Sequence, residues 1–200
     1  MSGARPSSRR LLAELPVLVI VAIAIAYGIK ALIAQAFYIP SGSMIPQLEI
    51  GDRVVVSKLA YRMHSPRRGD VVVFDAPYPQ PKAKRSPVER VWRGVAESIG
   101  VAQPSTEEYI KRVIAFPGES VEGHDGHVFV NGRELVEPYL PASTTTTDFS
   151  KVVIPKGRLW VMGDNRSNSS DSRVFGAIRR ASVVGRAFVR IWPPTRSAFL

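Results

Sequence analysis

The stretch YIKRVIAF, residues 109–116, decides the fold class of this 200-residue chain. It is short and rich in β-branched and aromatic residues, and it ends at the turn signal Pro117-Gly118. These features indicate a β-strand. Many short strands with such punctuation predict a mostly β domain, built as a barrel or a sandwich. The similar segments are RVVVSK (53–58), VVVF (71–74), HVFV (127–130), KVVI (151–154), LWVM (159–162) and SVVGRAFVRI (182–191).

Two local signals refine this architecture. Asn131-Gly132 directly after HVFV predicts a tight hairpin turn. Residues 79–108 begin as a proline-rich stretch, and within VERVWRGVAESIG (88–100) the apolar residues recur at helical spacing. We therefore expect an inserted loop and surface helix at 79–108.

The N-terminal part carries a long apolar segment. Residues 15–29 contain no charge, and after Lys30 the apolar character resumes as far as Phe37. A helix over residues 15–37 would be about 35 Å long, which is enough to cross the ~30 Å hydrocarbon core of a bilayer. We predict a tail at 1–14, a transmembrane helix at 15–37 and a catalytic or binding domain at 38–200.

The charges of the tail give the orientation of this predicted span. Arg5, Arg9 and Arg10 precede it, and the positive-inside rule keeps such a tail in the cytoplasm, whereas a long domain is translocated largely regardless of its charge. The chain is thus expected in the cell (plasma or inner) membrane with residues 38–200 outside the cytoplasm. Two other interpretations stay open, a signal peptide cleaved at Ala34-Gln35-Ala36 and a buried core helix.

Composition excludes several kinds of site. The chain has no cysteine, which removes disulfides, Cys-ligated zinc, Fe–S clusters and thiol catalysis. Its three histidines are too few for a His-rich metal centre. The formal net charge is +10, but the basic residues are scattered. We therefore expect no nucleic-acid partner and consider anionic lipid headgroups a nearer one.

A framed serine follows the apolar segment. In YIPSGSMIP (38–46), Pro40 and Pro46 stiffen the loop around two serines, and Gly42 lets the backbone turn closely. A serine held in this way could be a nucleophile, and an ordinary turn is the alternative. The pattern is not the G-x-S-x-G elbow of α/β-hydrolases, so that class is disfavoured.

Lys111 is the candidate proton acceptor that such a serine needs. Strand alternation places it on one face with Tyr109 and Val113. If that face is covered, desolvation lowers the pKa of the ammonium group. A fall from ~10.4 to ~7–8 corresponds to about 4 kcal/mol. An exposed charge on an edge strand is the alternative for this residue.

A third polar segment, MGDNRSNSSDSR (162–173), crowds charged, amide and hydroxyl side chains directly after an apolar strand. So many short hydrogen-bonding side chains are costly to fold unless they are exposed or bonded to one another. The segment is therefore either a solvated loop or a connected polar network.

In their order along the chain, these segments resemble the signatures of type I signal peptidases. The residues from Ser41 to Asp52 are similar to that family's nucleophile segment, 109–113 to its lysine strand, and 163–173 to its third signature. Glu137-Pro138-Tyr139 also fits the family. One departure is Ser167, where many relatives carry Asp. The resemblance implies a mostly β fold around a small barrel, with no metal or organic cofactor.

The resemblance also implies residue roles. Ser43 would be the nucleophile and Lys111 its general base. The Ser43 backbone N–H and the Ser41 hydroxyl would form the oxyanion hole, and Ser169 would orient the Lys111 amine. The residues that would brace the site as ion pairs are Asp164, Arg112, Asp171 and Arg173.

The implied activity is membrane-bound endoproteolysis that removes signal peptides from secretory preproteins after small residues. Ser43 lies at most ~20 Å from Phe37 along the chain, which suits a scissile bond emerging from a bilayer, and Met44 beside it is a candidate wall of the substrate pocket. The expected partners are preproteins, the lipid bilayer and the secretion translocon. The alternatives are a LexA-like self-cleaving Ser/Lys protein and a membrane-anchored, non-catalytic β scaffold.

Overall fold

The computed structural model describes residues 16–19, 21, 34–78 and 108–200. Residues 16–19 and 21 are helical. In the ranges 34–78 and 108–200 the helices are α1 (Ala60–Met63) and α2 (Ser172–Phe175), and short 3-10 helices span Gly42–Met44, Arg180–Ser182 and Pro194–Arg196. The strands are β1 (Ala34–Tyr38), β2 (Arg53–Ser57), β3 (Val71–Asp75), β4 (Glu108–Ala115), β5 (Ser120–His124), β6 (His127–Val130), β7 (Arg133–Glu134), β8 (Phe149–Val153), β9 (Arg158–Met162), β10 (Ile178–Arg179), β11 (Val183–Trp192) and β12 (Ala198–Phe199).

The described strands form two antiparallel sheets, which confirms the mostly β prediction. The larger sheet has the order β1-β2-β11-β3-β4-β9-β10, with β12 paired to β11, and the smaller has the order β7-β6-β5-β8. The larger sheet curls into a half-barrel. Its strand path ends at β1 and β10, so the expected small barrel is open rather than closed.

Strand β4, which contains the stretch that decided the fold class, lies between β3 and β9 in the larger sheet. Every residue from Ile110 to Ala115 is buried. Ile110 packs in one apolar cluster with Phe37, whereas Val113 packs in another with Val161. Because both faces of the strand are covered, β4 carries two charged side chains, Lys111 and Arg112, into the interior.

The hairpin predicted at Asn131-Gly132 is present between β6 and β7. Asn131 has a φ of 54° and Gly132 a φ of 74°, the left-handed values that a tight hairpin turn requires at both positions. Strand β5, SVEGH, has no apolar alternation and is absent from the sequence-based prediction. It forms because it pairs with β6 on one side and β8 on the other.

The end of the predicted transmembrane helix is corrected by the structure. Residues 34–37 belong to β1, which pairs with β2 from Ala34↔Ser57 to Tyr38↔Arg53. Their apolar side chains serve the core of the β domain, where Phe37 is buried. Residues 16–19 are helical, and no helix among the described residues is long and apolar enough to cross a membrane. The helix predicted at 88–100 lies outside the described residues.

Candidate active site

The serine loop is tied to the core on both sides of the turn. The backbone N–H of Ile39 donates to Asp52 O at 2.9 Å, and Gly51 N–H donates to Ile39 O at 2.9 Å. The chain then turns through the 3-10 helix at Gly42–Met44, and Ser43 stays partly exposed. Met44 has no exposed surface and packs in the core. The structure therefore places the Met44 side chain in the core, not on a pocket wall as expected from its sequence position.

Lys111 reaches the serine from strand β4. Its Nζ donates to Ser43 Oγ at 2.7 Å and to the backbone oxygen of Ile110 at 2.8 Å. The residue is only 3% exposed, and its Nζ lies 5.7 Å from the centre of the Tyr109 ring. Ser43 and Lys111 are 68 positions apart in the chain, so the fold alone brings the hydroxyl and the amine into contact.

Burial lowers the pKa of Lys111 from 10.5 to about 8. The carboxylates of Asp171 and Asp164 act in the opposite direction, but their effect is smaller than that of desolvation. With a pKa of about 8, roughly one-tenth of the amines are neutral at pH 7. The geometry and the pKa together make Lys111 able to accept a proton from Ser43 near neutral pH.

Arg112, the next residue on β4, is buried, and each of its three guanidinium nitrogens donates a hydrogen bond. Its Nε donates to Asp164 Oδ1 at 2.8 Å and its Nη2 to Asp164 Oδ2 at 2.6 Å, while Nη1 donates to Gly69 O at 2.6 Å. The guanidinium carbon lies 3.9 Å from the centre of the Tyr139 ring. This bidentate pair joins the strand of Lys111 to the third polar segment.

Asp171 holds the third segment together from inside. Its carboxylate pairs with Arg173 Nη2 at 2.8 Å and accepts a hydrogen bond from Gly163 N–H at 2.9 Å. Burial raises the pKa of Asp171, but Arg173 and the backbone donors outweigh that effect, so the net shift is downward. The segment is thus a connected polar network rather than a solvated loop.

The third segment also contacts the serine loop. The backbone N–H of Asn165 donates to Ser43 O at 3.1 Å, and its Nδ2 donates to Gly42 O at 3.0 Å. Gly163 makes this approach possible, because a Cβ there would lie 2.4 Å from Ser43 O and 2.2 Å from Ser169 Oγ. No role was predicted for Asn165 from the sequence, although it lies in the third polar segment.

Two further serines lie beside the Ser43–Lys111 pair. Ser41 Oγ donates to Ser43 Oγ at 3.4 Å. Ser169 Oγ is buried and has no hydrogen-bond partner among the described residues. It therefore lies within the site without the bond to Lys111 that the resemblance implies, and the Lys111 amine donates to Ile110 O instead.

A cleft of about 540 Å³ opens at the serine. Its lining combines apolar residues, which include Phe37, Ile39, Val73, Tyr109 and Ile110, with polar residues, which include Ser41, Ser43, Lys111, Asn168 and Ser170. Within the described part of the chain no group of three or more His, Cys, Asp or Glu residues could hold a metal ion.

Comparisons with known proteins show the family of this chain. The family model described as signal peptidase, peptidase S26, matches residues 12–192. The chain belongs to the signal peptidase family. Signal peptidase I of Mycobacterium tuberculosis (strain ATCC 25618 / H37Rv) is 37% identical over 96% of this chain and 76% of its own length. The probable signal peptidase I-2 of Synechocystis sp. is 38% identical over 94% of this chain and 76% of its own length.

A solved signal peptidase I from Enterococcus faecalis V583 is 28% identical, with a TM-score of 0.44, over 62% of this chain and 97% of the solved one. Membership in the signal peptidase family rests on the family model and the relatives. The chain is therefore a serine endopeptidase of the signal-peptide-processing class. It is neither of the two alternatives, the non-catalytic scaffold and the LexA-like protein.

A second ion-pair network of this signal peptidase was not predicted from sequence. Arg166 donates to both carboxylate oxygens of Glu137, at 2.7 Å and 2.5 Å, and to Gly163 O at 3.1 Å. Tyr139 OH donates to Glu137 at 2.5 Å, and the Tyr139 ring lies against Arg112. The resemblance did mark Glu137-Pro138-Tyr139 as similar to the family, and that was the available signal.

Proposed function

We propose that this signal peptidase is a Ser/Lys enzyme in which Ser43 attacks the scissile carbonyl and Lys111 is the general base. One observation carries the proposal, the 2.7 Å contact between Lys111 Nζ and Ser43 Oγ inside a site where the amine is 3% exposed. A neutral amine at this distance can take the hydroxyl proton as the oxygen attacks.

The reaction proceeds in two halves. Ser43 Oγ bonds to the carbonyl carbon while its proton passes to Lys111 Nζ. The resulting ammonium then protonates the leaving nitrogen as the peptide C–N bond breaks. Water next attacks the acyl-serine ester, and Lys111 accepts the water proton. As the ester C–O bond breaks, the Lys111 ammonium returns that proton to Ser43 Oγ, which regenerates the free hydroxyl and the neutral amine.

Charge that develops on the carbonyl oxygen needs fixed donors. The Ser43 backbone N–H and the Ser41 hydroxyl would supply them, and the 3.4 Å separation of the two serine oxygens supports a hydroxyl donor beside the reacting atom. Ser169 would orient the Lys111 amine, which has donor capacity beyond its bonds to Ser43 and Ile110. This role is supported by the buried Ser169 hydroxyl, which has no hydrogen-bond partner in the described part of the chain.

The ion pairs would hold the two halves of the site in register. Arg112 and Asp164 join β4 to the third segment, and Asp171 and Arg173 fix that segment internally. These side chains touch neither Ser43 nor a bound peptide in our proposal. They keep the serine loop and the lysine strand at a separation that allows proton transfer.

The substrates would be secretory preproteins. The cleft beside Ser43 is lined in part by the apolar residues Phe37, Ile39 and Ile110, and apolar contacts of this kind suit the small residues that precede a signal-peptide cleavage point. We propose cleavage after small side chains and name no particular preprotein as the substrate.

The signal peptidase I relatives are membrane-associated. We propose a single-pass anchor for this chain, shortened at its end because β1 begins at Ala34. A helix over 15–33 would be about 28 Å long, within the usual range for a span. The N-terminal arginines would stay in the cytoplasm, the catalytic domain would lie outside, and the translocon would be the neighbour that delivers preproteins.

Cleavage of a preprotein by the full chain in liposomes tests the residue roles. We expect Ser43→Ala and Lys111→Ala each to abolish cleavage, while Ser150→Ala and Lys151→Ala keep it. The two control positions are exposed and lie on β8, in the other sheet. Near-full activity of Lys111→Ala at neutral pH would show that another group is the base.

A further inference from the structure

We propose that Asn165 is a positioning residue that aims the Ser43 backbone N–H at the substrate carbonyl. This inference rests on the proposed function, because it takes Ser43 N–H as an oxyanion donor. It begins from the pair of contacts that Asn165 makes with the serine loop, one through its side chain to Gly42 O and one through its backbone to Ser43 O.

The geometry of a peptide unit links the first contact to the oxyanion hole. Gly42 O and Ser43 N–H belong to the same peptide, which is trans, so the carbonyl and the N–H point in opposite directions. When Asn165 Nδ2 holds the Gly42 carbonyl at 3.0 Å, it fixes the direction of the Ser43 N–H. That N–H lies in the first turn of a 3-10 helix and has no partner within the helix.

The second contact fixes the next peptide unit. Asn165 N–H donates to Ser43 O at 3.1 Å, so the carbonyl groups on both sides of the nucleophile are bound to one residue. Ile45 N–H also donates to Gly42 O, at 3.2 Å, and this bond remains when the side chain of Asn165 is changed. Removing Nδ2 should therefore loosen the N–H rather than unfold the loop.

The test compares Asn165→Asp and Asn165→Ala with the wild-type full chain in detergent. Both variants keep the backbone donor, and Asp replaces Nδ2 by an oxygen of similar position. Loss of one oxyanion donor in other enzymes costs about 10²–10³ in kcat. Because Ile45 still holds Gly42 O, we expect a fall of about tenfold or more in kcat, with KM changed less than about twofold.

Two readouts separate positioning from a structural role. A peptide aldehyde forms a tetrahedral adduct with the serine and needs the oxyanion donors, whereas a non-cleavable substrate peptide does not. Both variants should bind the aldehyde about tenfold more weakly and the peptide normally. The pH midpoint of activity should not move in Asn165→Ala, because this variant leaves the Lys111 contacts unchanged and adds no charge.

Ser167→Ala is the matched control, because Ser167 Oγ donates to the other atom of the same amide, Asn165 Oδ1, at 3.3 Å and is exposed. It should keep wild-type kcat. The inference is overturned if Asn165→Asp keeps wild-type kcat and aldehyde affinity, or if both ligands weaken equally. If Ser43→Ala also retains cleavage, the proposed function itself fails, whereas an inactive Ser43→Ala beside a fully active Asn165→Asp rejects only the role of Asn165.

Discussion

Two neighbouring residues of β4, Lys111 and Arg112, are both cations buried to 3% exposure, yet their surroundings differ. Arg112 lies against Asp164 in a bidentate ion pair. Lys111 faces a neutral hydroxyl and a backbone carbonyl, and the carboxylates that influence it, Asp171 and Asp164, are each paired with an arginine.

The comparison shows how one strand supports both structure and chemistry. Arg112 is paired with its own carboxylate, and removing either partner leaves an unpaired charge in the interior. A buried cation without one has its pKa lowered by desolvation, to about 8 for Lys111. Strand alternation sends the two side chains in opposite directions, so adjacent positions meet these different environments.

The largest effect is expected when Lys111 is given the chemistry of its neighbour. Lys111→Arg keeps a cation in place, but a guanidinium does not lose its proton near neutral pH. General-base catalysis contributes about 10²–10⁴-fold, so preprotein cleavage should fall by at least about 100-fold. Lys58→Arg, a partly exposed lysine, is the control and should cleave normally. Substantial activity in Lys111→Arg would mean that the amine is not the base.

Removing the partner of Asp164 should be the largest change in stability. Arg112→Met leaves the Asp164 carboxylate buried and unpaired, which costs about 3–5 kcal/mol. Denaturant unfolding of the full chain measures this. The double variant Arg112→Met/Asp164→Leu should recover much of the loss, because apolar replacement of a whole buried pair is often neutral. If the single variant is as stable as the wild type, the pair does not hold β4 to the third segment.

Lys111→Met should stabilise the fold below pH 8. The pKa of Lys111 is about 8 in the folded chain and near 10.5 when unfolded, so the unfolded chain binds more protons between these values and the wild type gains stability as pH rises. Below the folded pKa the penalty is complete and amounts to about 3–4 kcal/mol, because each pKa unit corresponds to about 1.4 kcal/mol. Unfolding at pH 7 and pH 10 should show the gain of Lys111→Met shrinking at the higher pH. An equal gain at both pH values would contradict a lowered pKa of Lys111 in the folded chain.

The smallest expected effect is the change in kcat/KM for each unit of pH. Because the neutral amine is the active base, kcat/KM should fall about tenfold for each unit of pH below the pKa of Lys111 and level off above about 8. The rate profile of the full chain on a short signal-peptide substrate measures this limb. A profile that stays flat from pH 6 to 9 would contradict a titrating Lys111.

Local patterns predicted much of the fold, and a family resemblance proposed the main pair of the site. β-Branched runs and turn signals gave the principal strands, and the ordered resemblance to type I signal peptidases implied the pairing of Ser43 with Lys111. Segment 34–37 was misassigned to a helix, because an apolar stretch is compatible with both a bilayer and a β core. Only pairing with β2 distinguishes them.

The partners of each polar group could not be found in the same way. Asn165 holds the Gly42 carbonyl across 123 positions of chain, and Arg166 finds Glu137 across 29. Met44 lies next to the nucleophile yet packs in the core. Such contacts depend on how distant strands are placed, and no local periodicity carries that information.

The amino-acid sequence alone determined which chemical groups the chain has and that most of the described domain would be strands. It also indicated which serine and which lysine were candidate site residues. Tertiary structure decided that Lys111 lies 2.7 Å from Ser43 and is buried. The physical reason is that a pKa depends on the solvent and charges around a group, and these come from β3, β9, the serine loop and the third segment together. A strand by itself would leave that amine hydrated and protonated.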